Sequence, residues 1–164
     1  MNRIKVVNDI SELVAVLRAV DSETKLSVFK EVMQEWKSKR QIQEKYGKSG
    51  EEALALLEKL KLVETRWTPA DKGPEMSYHT FYKSFHINIT CPISEISDIL
   101  SAAMIGESKF EDFENTLDQM VGAEGVYVGD VLEKMGLTMT MLKGLVKRSS
   151  RFEYRGHRIE RVAK

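Results

Sequence analysis

Three amphipathic segments with clear start and stop signals, followed by an extended run, fill residues 22–67. Ser22 and Ser38 each stand just before apolar residues at helical spacing, as an N-cap does, and Gln41 completes a capping box with Ser38. The second segment is predicted to end at Gly47, because glycine adopts the left-handed backbone of a helix end at little cost. Two helices joined by so tight a turn are typical of a helix-turn-helix, in which the third segment is the recognition helix.

The residues after the third helical segment have the composition of two strands around a flexible tip. Residues 63–67 favour an extended chain, and residues 68–75 hold two prolines and a glycine among polar residues. Residues 77–89 are rich in aromatic and β-branched types. We therefore predict a β-hairpin, the wing of a winged helix, whose return strand runs without a break to residue 89.

The phrase LRAVDSETKLSVFKEVM, at residues 17–33, resembles archaeal members of the ArsR-like winged-helix transcription regulators. In that family a helix precedes a segment of the form LxDxTRLxIL, and the helix-turn-helix, the wing and a closing helix follow. The residues that stand where the family has its Asp, Thr, Arg and Leu are Asp21, Thr24, Lys25 and Leu26. The resemblance covers roughly residues 9–104. It implies a regulator that binds DNA, with the first and closing helices at a dimer interface.

The C-terminal third repeats this order of elements without obvious sequence identity. Ser108 and Glu111 are predicted to form a capping box at the start of an amphipathic helix, and residues 126–128 are too few for anything but a strand. A short helix is then expected to stop at Gly136, and Thr138 is expected to cap another helix. The pattern is again helix, strand, helix, turn, helix.

The run RFEYRGHRIERV, at residues 151–162, is predicted to be a β-hairpin. With Arg155 and Gly156 as a two-residue turn, Tyr154 lies opposite His157 and the remaining pairs are chemically sensible. This hairpin completes a second winged helix.

The predicted fold class is therefore α+β and mainly helical. We expect two winged-helix units in tandem, each with a three-helix helix-turn-helix core and a β-hairpin wing. The first domain, an ArsR-like unit with flanking dimerisation helices, is placed at residues 1–106, and the smaller second domain at residues 107–164. A length of 164 residues with 42% hydrophobic content is ordinary for one or two globular domains.

The charges are unevenly distributed although the formal net charge is zero. Net charge is +2 over residues 1–94, −8 over residues 95–135 and +6 over residues 136–164. Basic groups reach phosphates, and polar side chains on a recognition helix touch base edges. The residues predicted to bind double-stranded DNA are Arg40, Lys45, Lys48, Ser49, Thr140, Lys143, Lys147, Arg148, Arg155 and Arg158.

Both predicted DNA-binding surfaces have an alternative interpretation. In the first unit, Glu51 and Glu52 occupy the first turn of the recognition helix, where carboxylates repel phosphate, although they also favour the helix dipole and the cap. In the second unit, the basic face equally suits a solvated surface or an ionic dock for the acidic stretch 107–118.

Two apolar helical stripes, one in the first helix and one behind Pro92, predict a homodimer. They leave more apolar surface than one small winged helix can bury. The residues expected at the dimer interface are Leu13, Leu17, Ile96, Ile99 and Leu100. The alternative is that both stripes belong to the core of one chain.

The sequence offers little support for catalysis, metal or a membrane. It has no Gly-rich phosphate loop, no HExxH and no cysteine pair. Its three histidines lie apart, and His79 and His86, seven residues apart in one extended run, are expected to face opposite sides. We predict no enzymatic activity, no cofactor and no metal. No apolar run is long enough to cross a membrane, residues 1–10 lack the core of a secretory signal, and the single Cys91 agrees with a reducing compartment. A cytoplasmic location is expected.

These observations together predict a homodimeric transcription regulator of the ArsR-like winged-helix type acting on double-stranded DNA. One alternative is a tandem winged-helix adaptor that binds protein and no DNA. Another is a regulator whose methionine-rich second half holds a small-molecule effector.

Overall fold

Seven helices and eight short strands occupy the described part of the chain, which is residues 2–163 of a computed structural model. The fold is α+β and mainly helical, as predicted. The chain divides into two compact units. Unit 1 holds the N-terminal residues through Val7 together with Val16–Asn88, and unit 2 holds Asn8–Ala15 and the chain from Ile89 onward.

Unit 1 is built from a helix pair, a kinked helix and two small sheets. Its elements are β1 (Ile4–Val7), the end of α1 (Ile10–Arg18), α2 (Glu23–Gln34), β2 (Lys37–Ser38), α3 (Lys39–Lys59), β3 (Val63–Thr68), β4 (Glu75–Thr80) and β5 (Ser84–Ile87). Strands β2, β4 and β3 form an antiparallel sheet in that order. The sheet and helices enclose an apolar core that includes Val28, Val32, Ile42, Leu54 and Leu57.

The capping signals of unit 1 act where the sequence places them. Ser22 caps α2 by accepting from the backbone of Lys25. Ser38 and Gln41 form the predicted reciprocal capping box of α3. Gly47 has φ 62° and ψ −149°, so it divides α3 into a first arm, residues 39–46, and a second arm, residues 48–59. The predicted tight turn between two helices is confirmed.

The prediction of one long return strand over residues 77–89 is wrong. Strand β4 ends at Thr80, and the chain then exchanges its hydrogen-bonding partners. The amide of Phe81 donates to Leu62 O at 3.0 Å, whereas the amide of Lys83 donates to Arg3 O at 2.8 Å. Strand β5 therefore pairs in parallel with the N-terminal strand β1, an association that local alternation of residues cannot indicate.

Unit 2 repeats the order of elements found in unit 1. It contains most of α1, α4 (Ile93–Met104), α5 (Glu107–Met120), β6 (Val126–Tyr127), α6 (Val128–Met135), α7 (Met139–Arg148), β7 (Phe152–Arg155) and β8 (Arg158–Arg161). Strands β6, β8 and β7 form an antiparallel sheet in the same pattern as the sheet of unit 1. The apolar core of unit 2 includes Leu117, Val131, Leu142, Phe152 and Ile159.

The helix signals of unit 2 are confirmed in part. Gly136 ends α6 with φ 63°, and Thr138 caps α7 by accepting from the amide of Met141 at 3.2 Å. The capping box at Ser108 is wrong, because α5 begins earlier with Gly106 as its N-cap. Helix α5 therefore follows the end of α4 at Met104 after only two residues.

The C-terminal hairpin forms, but its predicted register is wrong by one residue. Arg155 lies opposite Arg158, and Tyr154 lies opposite Ile159. Gly156, with φ 60°, is therefore the first residue of the turn and His157 the second. Glycine at that position meets the steric demand of a tight hairpin turn, which outweighs the side-chain pairs that the sequence favoured.

The division into units falls before α4, whereas the sequence placed the domain boundary after it. Helix α4 packs closely along α7, so the tertiary contacts assign it to unit 2. None of the helices within residues 2–163 is both long enough and apolar enough to cross a membrane.

Candidate nucleic-acid interface

The two arms of α3 approach each other closely at Gly50. A Cβ atom at this buried position would lie 2.6 Å from Tyr46 Cβ and 3.0 Å from Ile42 Cγ2. The second arm therefore crosses the first at a separation that only glycine permits. Leu54 and Leu57 anchor the inner face of the second arm in the core, which leaves its opposite face in solvent. Ser49 lies exposed at the start of this arm.

The carboxylates in the first turn of the second arm have lysine partners. Lys39 Nζ lies 3.5 Å from Glu51 Oε1, and Lys48 Nζ lies 3.7 Å from Glu52 Oε1. The side chain of Lys48 is 88% exposed, so it stays available to a phosphate while it screens the neighbouring carboxylate. The two lysines offset part of the negative charge by which Glu51 and Glu52 would repel DNA phosphates at this face.

Arg40 binds within unit 1 and orients the β3–β4 hairpin. Its Nε lies 2.7 Å from Glu75 Oε1 and 4.0 Å from Glu44 Oε1. Glu75 is the first residue of β4. The guanidinium therefore ties the first arm of α3 to the hairpin.

Lys45 takes part in a small network centred on Glu31 of α2. The carboxylate of Glu31 accepts from Lys45 Nζ and from Tyr46 Oη, and Lys37 Nζ lies 3.7 Å away. Burial raises the pKa of Glu31, but these hydrogen bonds and positive charges outweigh burial and lower the pKa below its usual range. The network joins α2 to the first arm of α3 and sets the orientation of the helix pair.

In unit 2, helix α4 covers one side of the predicted basic recognition helix. A Cβ atom at Gly144 of α7 would lie 2.9 Å from Ala102 Cβ, and Thr138 Oγ1 donates to Asp98 Oδ2 at 2.8 Å. Thr140 is half-buried.

The predicted phosphate-binding lysines of α7 lie near an acidic side chain of their own unit. Lys143 is exposed and Lys147 is half-buried. Burial raises the pKa of Asp9, but hydrogen bonds from Ser11 and the charges of both lysines outweigh it and lower the pKa. The basic face of α7 is thus partly neutralised inside unit 2.

The position of Arg148 corrects its predicted role as a phosphate contact. The residue is only 4% exposed. Its guanidinium donates to Ala102 O at 3.2 Å, to Ile105 O at 2.7 Å and to Glu107 Oε1 at 3.0 Å. It also stacks on Phe110 at 4.1 Å. Arg148 therefore satisfies the carbonyl groups at the end of α4, and no arginine held in this way reaches a duplex.

The two hairpin arginines also have partners in unit 2. Arg155 lies 3.1 Å from Glu153 and 3.7 Å from Glu160. Arg158 donates to Glu124 O at 2.8 Å and lies over the ring of Tyr127 at 4.1 Å. Arg155 is exposed and Arg158 is half-buried, and each is oriented by contacts within unit 2.

The predicted dimer residues fall into two groups. Ile99 is 6% exposed and lies near Gly144, so it belongs to the packing of α4 on α7. Leu13 is half-buried, whereas Leu17, Ile96 and Leu100 are 56%, 41% and 52% exposed. For α4, the predicted dimer interface thus combined Ile99 of the buried face with Ile96 and Leu100 of the exposed face.

Three residues that hold the hairpin and the helix pair, Glu31, Lys39 and Glu75, are not among the predicted site residues. Glu31 and Glu75 lack the positive charge that indicates a phosphate-binding surface, and the local sequence does not show which distant charge any of the three residues pairs with. In residues 2–163, no group of three His, Cys, Asp or Glu side chains is arranged to hold a metal ion.

Comparison with known proteins identifies the family. The sequence model described as "ArsR transcriptional regulator" matches residues 7–163. The chain belongs to the ArsR family and is, at the level of that family, a transcription regulator. A search of curated proteins found no significant match.

Proposed function

We propose that the protein binds double-stranded DNA as a homodimer and regulates transcription in the cytoplasm, as the archaeal ArsR-like regulators that it resembles do. The observation that carries the proposal is the second arm of α3, which is anchored by leucines on one face and presents Ser49 and Lys48 in solvent on the other. A helix so displayed, beside a β-hairpin, suits the major groove.

The order of elements in both units supports the proposal that each is a winged helix. Each has a helix, a short strand, two helical segments and a β-hairpin, and the strand orders β2-β4-β3 and β6-β8-β7 correspond. We assign the DNA contact to unit 1, with the second arm of α3 as the recognition helix and β3–β4 as the wing. The proposal assigns no DNA contact to unit 2. There α4 lies along α7, the helix that corresponds to the second arm of α3, and Arg148 is buried.

The homodimer proposal rests on the exposed stripe of α4. The members of this stripe are Ile93, Ile96, Leu100 and Met104, with exposed fractions of 88%, 41%, 52% and 79%. They recur at three- and four-residue spacing on one side of the helix, and the other side packs on α7. Apolar surface of this kind is typical of an interface between subunits.

A titration of a labelled random-sequence duplex by fluorescence anisotropy tests DNA binding. We expect wild-type protein to bind at low salt and to lose affinity as salt rises, because lysine contacts release condensed counterions. Lys48→Gln should weaken binding and reduce the slope of log affinity against log salt by about 1. Lys143→Gln, which removes the same charge from α7, serves as the matched control and should leave the slope unchanged.

Failure of the wild-type protein to bind any duplex at low salt would contradict the proposal and favour the protein-binding adaptor. Equal effects of the two lysine substitutions would instead place unit 2 on the DNA beside unit 1.

A further inference from the structure

Strand β5 is one edge of a two-stranded sheet in unit 1 and is exposed along its whole length. Within residues 2–163 its one strand partner is β1, and all four of its residues are exposed. They include Phe85 and Ile87, which are 40% and 53% exposed. Two strands alone make a marginal sheet, and an unpaired edge is a template for a further strand. The outer edge of β5 is therefore open to pairing.

Two residues of β5 direct their backbone groups to this outer edge. The amide of Asn88 donates to Val7 O at 3.1 Å, so the backbone of Asn88 faces β1. Successive residues of a strand direct their backbone groups to alternate edges, so the N–H and C=O groups of Phe85 and Ile87 point away from β1. Lys83, whose amide donates toward the segment of β1, lies before the first residue of the regular strand.

The side chains of β5 lack the charges that commonly prevent edge pairing. Its sequence is SFHI, without Lys, Arg, Asp or Glu, whereas β1 contains Lys5 and follows directly after Arg3. Charged side chains on an edge strand, lysine above all, discourage association with another strand. This protection is present on β1 and absent from β5.

The order of residues in β5 suits antiparallel pairing with an identical strand. With His86 opposite His86 of a second copy, Phe85 of each copy lies opposite Ile87 of the other. An aromatic residue then faces a β-branched residue on both sides of the centre. The same two residues have their backbone groups at the edge, so each such pair can exchange both hydrogen bonds. A register centred on Phe85 would instead place Ile87 opposite Lys83.

We propose that β5 pairs antiparallel with β5 of a second copy of this chain, centred on His86. The two sheets then form one four-stranded sheet in the order β1, β5, β5, β1. The contact uses residues of unit 1 and none of the exposed stripe of α4, so the proposal does not rest on the proposed function. Four residues from each copy bury little surface, so the contact is weak and forms well above micromolar concentration.

Disulfide trapping tests the contact together with its register. Cys91→Ser removes the native thiol, and His86→Cys is then added. In the proposed register the two introduced cysteines form a pair without mutual backbone hydrogen bonds, with Cα atoms about 4.5 Å apart, which a disulfide spans. With a mild oxidant at high protein concentration, we expect a covalent dimer on a non-reducing gel.

Ser84→Cys in the same Cys91→Ser background is the matched control. Ser84 is exposed and lies on the same face of β5 as His86. In the proposed register it lies opposite Asn88 and roughly 13 Å along the strand from Ser84 of the other copy, too far for a disulfide. We expect no covalent dimer from this variant. Leu100→Glu added to the His86→Cys chain should leave the trapping unchanged.

Sedimentation equilibrium tests the contact without introduced cysteines. We expect the mean mass of the wild-type protein to rise with concentration toward twice its micromolar value. Ile87→Lys places a charge on the edge and should abolish this rise. Ile4→Lys, at a position of β1 that is 51% exposed, should behave as the wild type.

Three results would overturn the proposal. Equal trapping of His86→Cys and Ser84→Cys would indicate random collision, and no trapping of either would show that β5 does not pair. Loss of trapping on Leu100→Glu would assign the covalent dimer to contact through α4. Failure of the protein to bind a duplex leaves this proposal intact, since neither the trapping nor the mass depends on DNA.

Discussion

Individual charged side chains in this protein mainly bind partners within the unit that contains them. Glu31 binds Lys45, Tyr46 and Lys37, Arg40 binds Glu75, and each contact joins two elements. The carboxylates of Glu31 and Glu75 are only 17% and 19% exposed, so water competes less for them than for the partners of a fully exposed ion pair. The position of the first arm of α3 thus depends on acidic residues of unit 1.

The Glu31 network predicts a pH-dependent contribution to stability. A carboxyl whose pKa is lowered in the folded state stabilises the protein above its ordinary pKa of 4.5, and this contribution is lost as pH falls through the lower folded value. Glu31→Gln should reduce the free energy of unfolding by roughly 1 kcal/mol at pH 7 and have a smaller effect at pH 3. Urea titrations at the two pH values measure the difference.

Glu52→Gln is a suitable control, because this carboxylate is 60% exposed and pairs with the exposed side chain of Lys48. We expect its effect on unfolding to be small at both pH values. An equal loss from Glu31→Gln at pH 7 and pH 3 would show that its ionised form has no special role.

At the scale of elements, close contacts at glycine decide how helices meet. Gly50 sets the crossing of the two arms of α3, and Gly144 sets the contact of α7 with α4. In each case a methyl group added to the glycine would lie closer to its nearest neighbour than side chains normally allow. These glycines are thus explained by packing, whereas Gly47 is explained by its positive φ.

We predict that Gly144→Ala destabilises unit 2. The added methyl group would lie 2.9 Å from Ala102 Cβ, so α4 must move away from α7. The overpacking should cost about 1–3 kcal/mol, which exceeds the gain of about 1 kcal/mol that alanine brings inside a helix. A lowered midpoint in thermal unfolding followed by circular dichroism measures this loss.

Gly129→Ala supplies the comparison within the same unit. Gly129 is in α6, and a methyl group there meets no atom within 4 Å. This variant should be neutral or slightly stabilised. A stabilised Gly144→Ala protein would mean that α4 and α7 separate freely in solution.

At the scale of the whole molecule, the proposed dimer depends on one exposed helix face. Leu100→Glu places a charge in the stripe of α4 at a position that is 52% exposed in the single chain. The substitution should leave folding intact and reduce the mass in light scattering from twice 18.8 kDa to 18.8 kDa. Met139→Glu, at an exposed apolar position of α7, should not change the mass.

A wild-type mass of 18.8 kDa at micromolar concentration would argue against the homodimer. An unchanged dimer in Leu100→Glu would assign the subunit contact to some other surface.

Much of the local structure was predictable from the sequence. The caps at Ser22, Ser38 and Thr138 and the helix stops at Gly47 and Gly136 form as expected. These features depend on hydrogen bonds and backbone angles within a few residues, so neighbouring residues contain the information. The apolar periodicity of each helix is similarly local.

The tertiary structure decided what the local pattern leaves open. Pairing of β5 with β1, burial of Arg148 against the end of α4 and capture of Arg40 by Glu75 all join residues far apart in the chain. A lysine or arginine has the same sequence signature whether it faces a phosphate or a carboxylate of its own fold. The sequence by itself determined the helices, most of their caps and stops, and the cations present, because these depend on neighbouring residues. Long-range packing decided which of those cations face solvent.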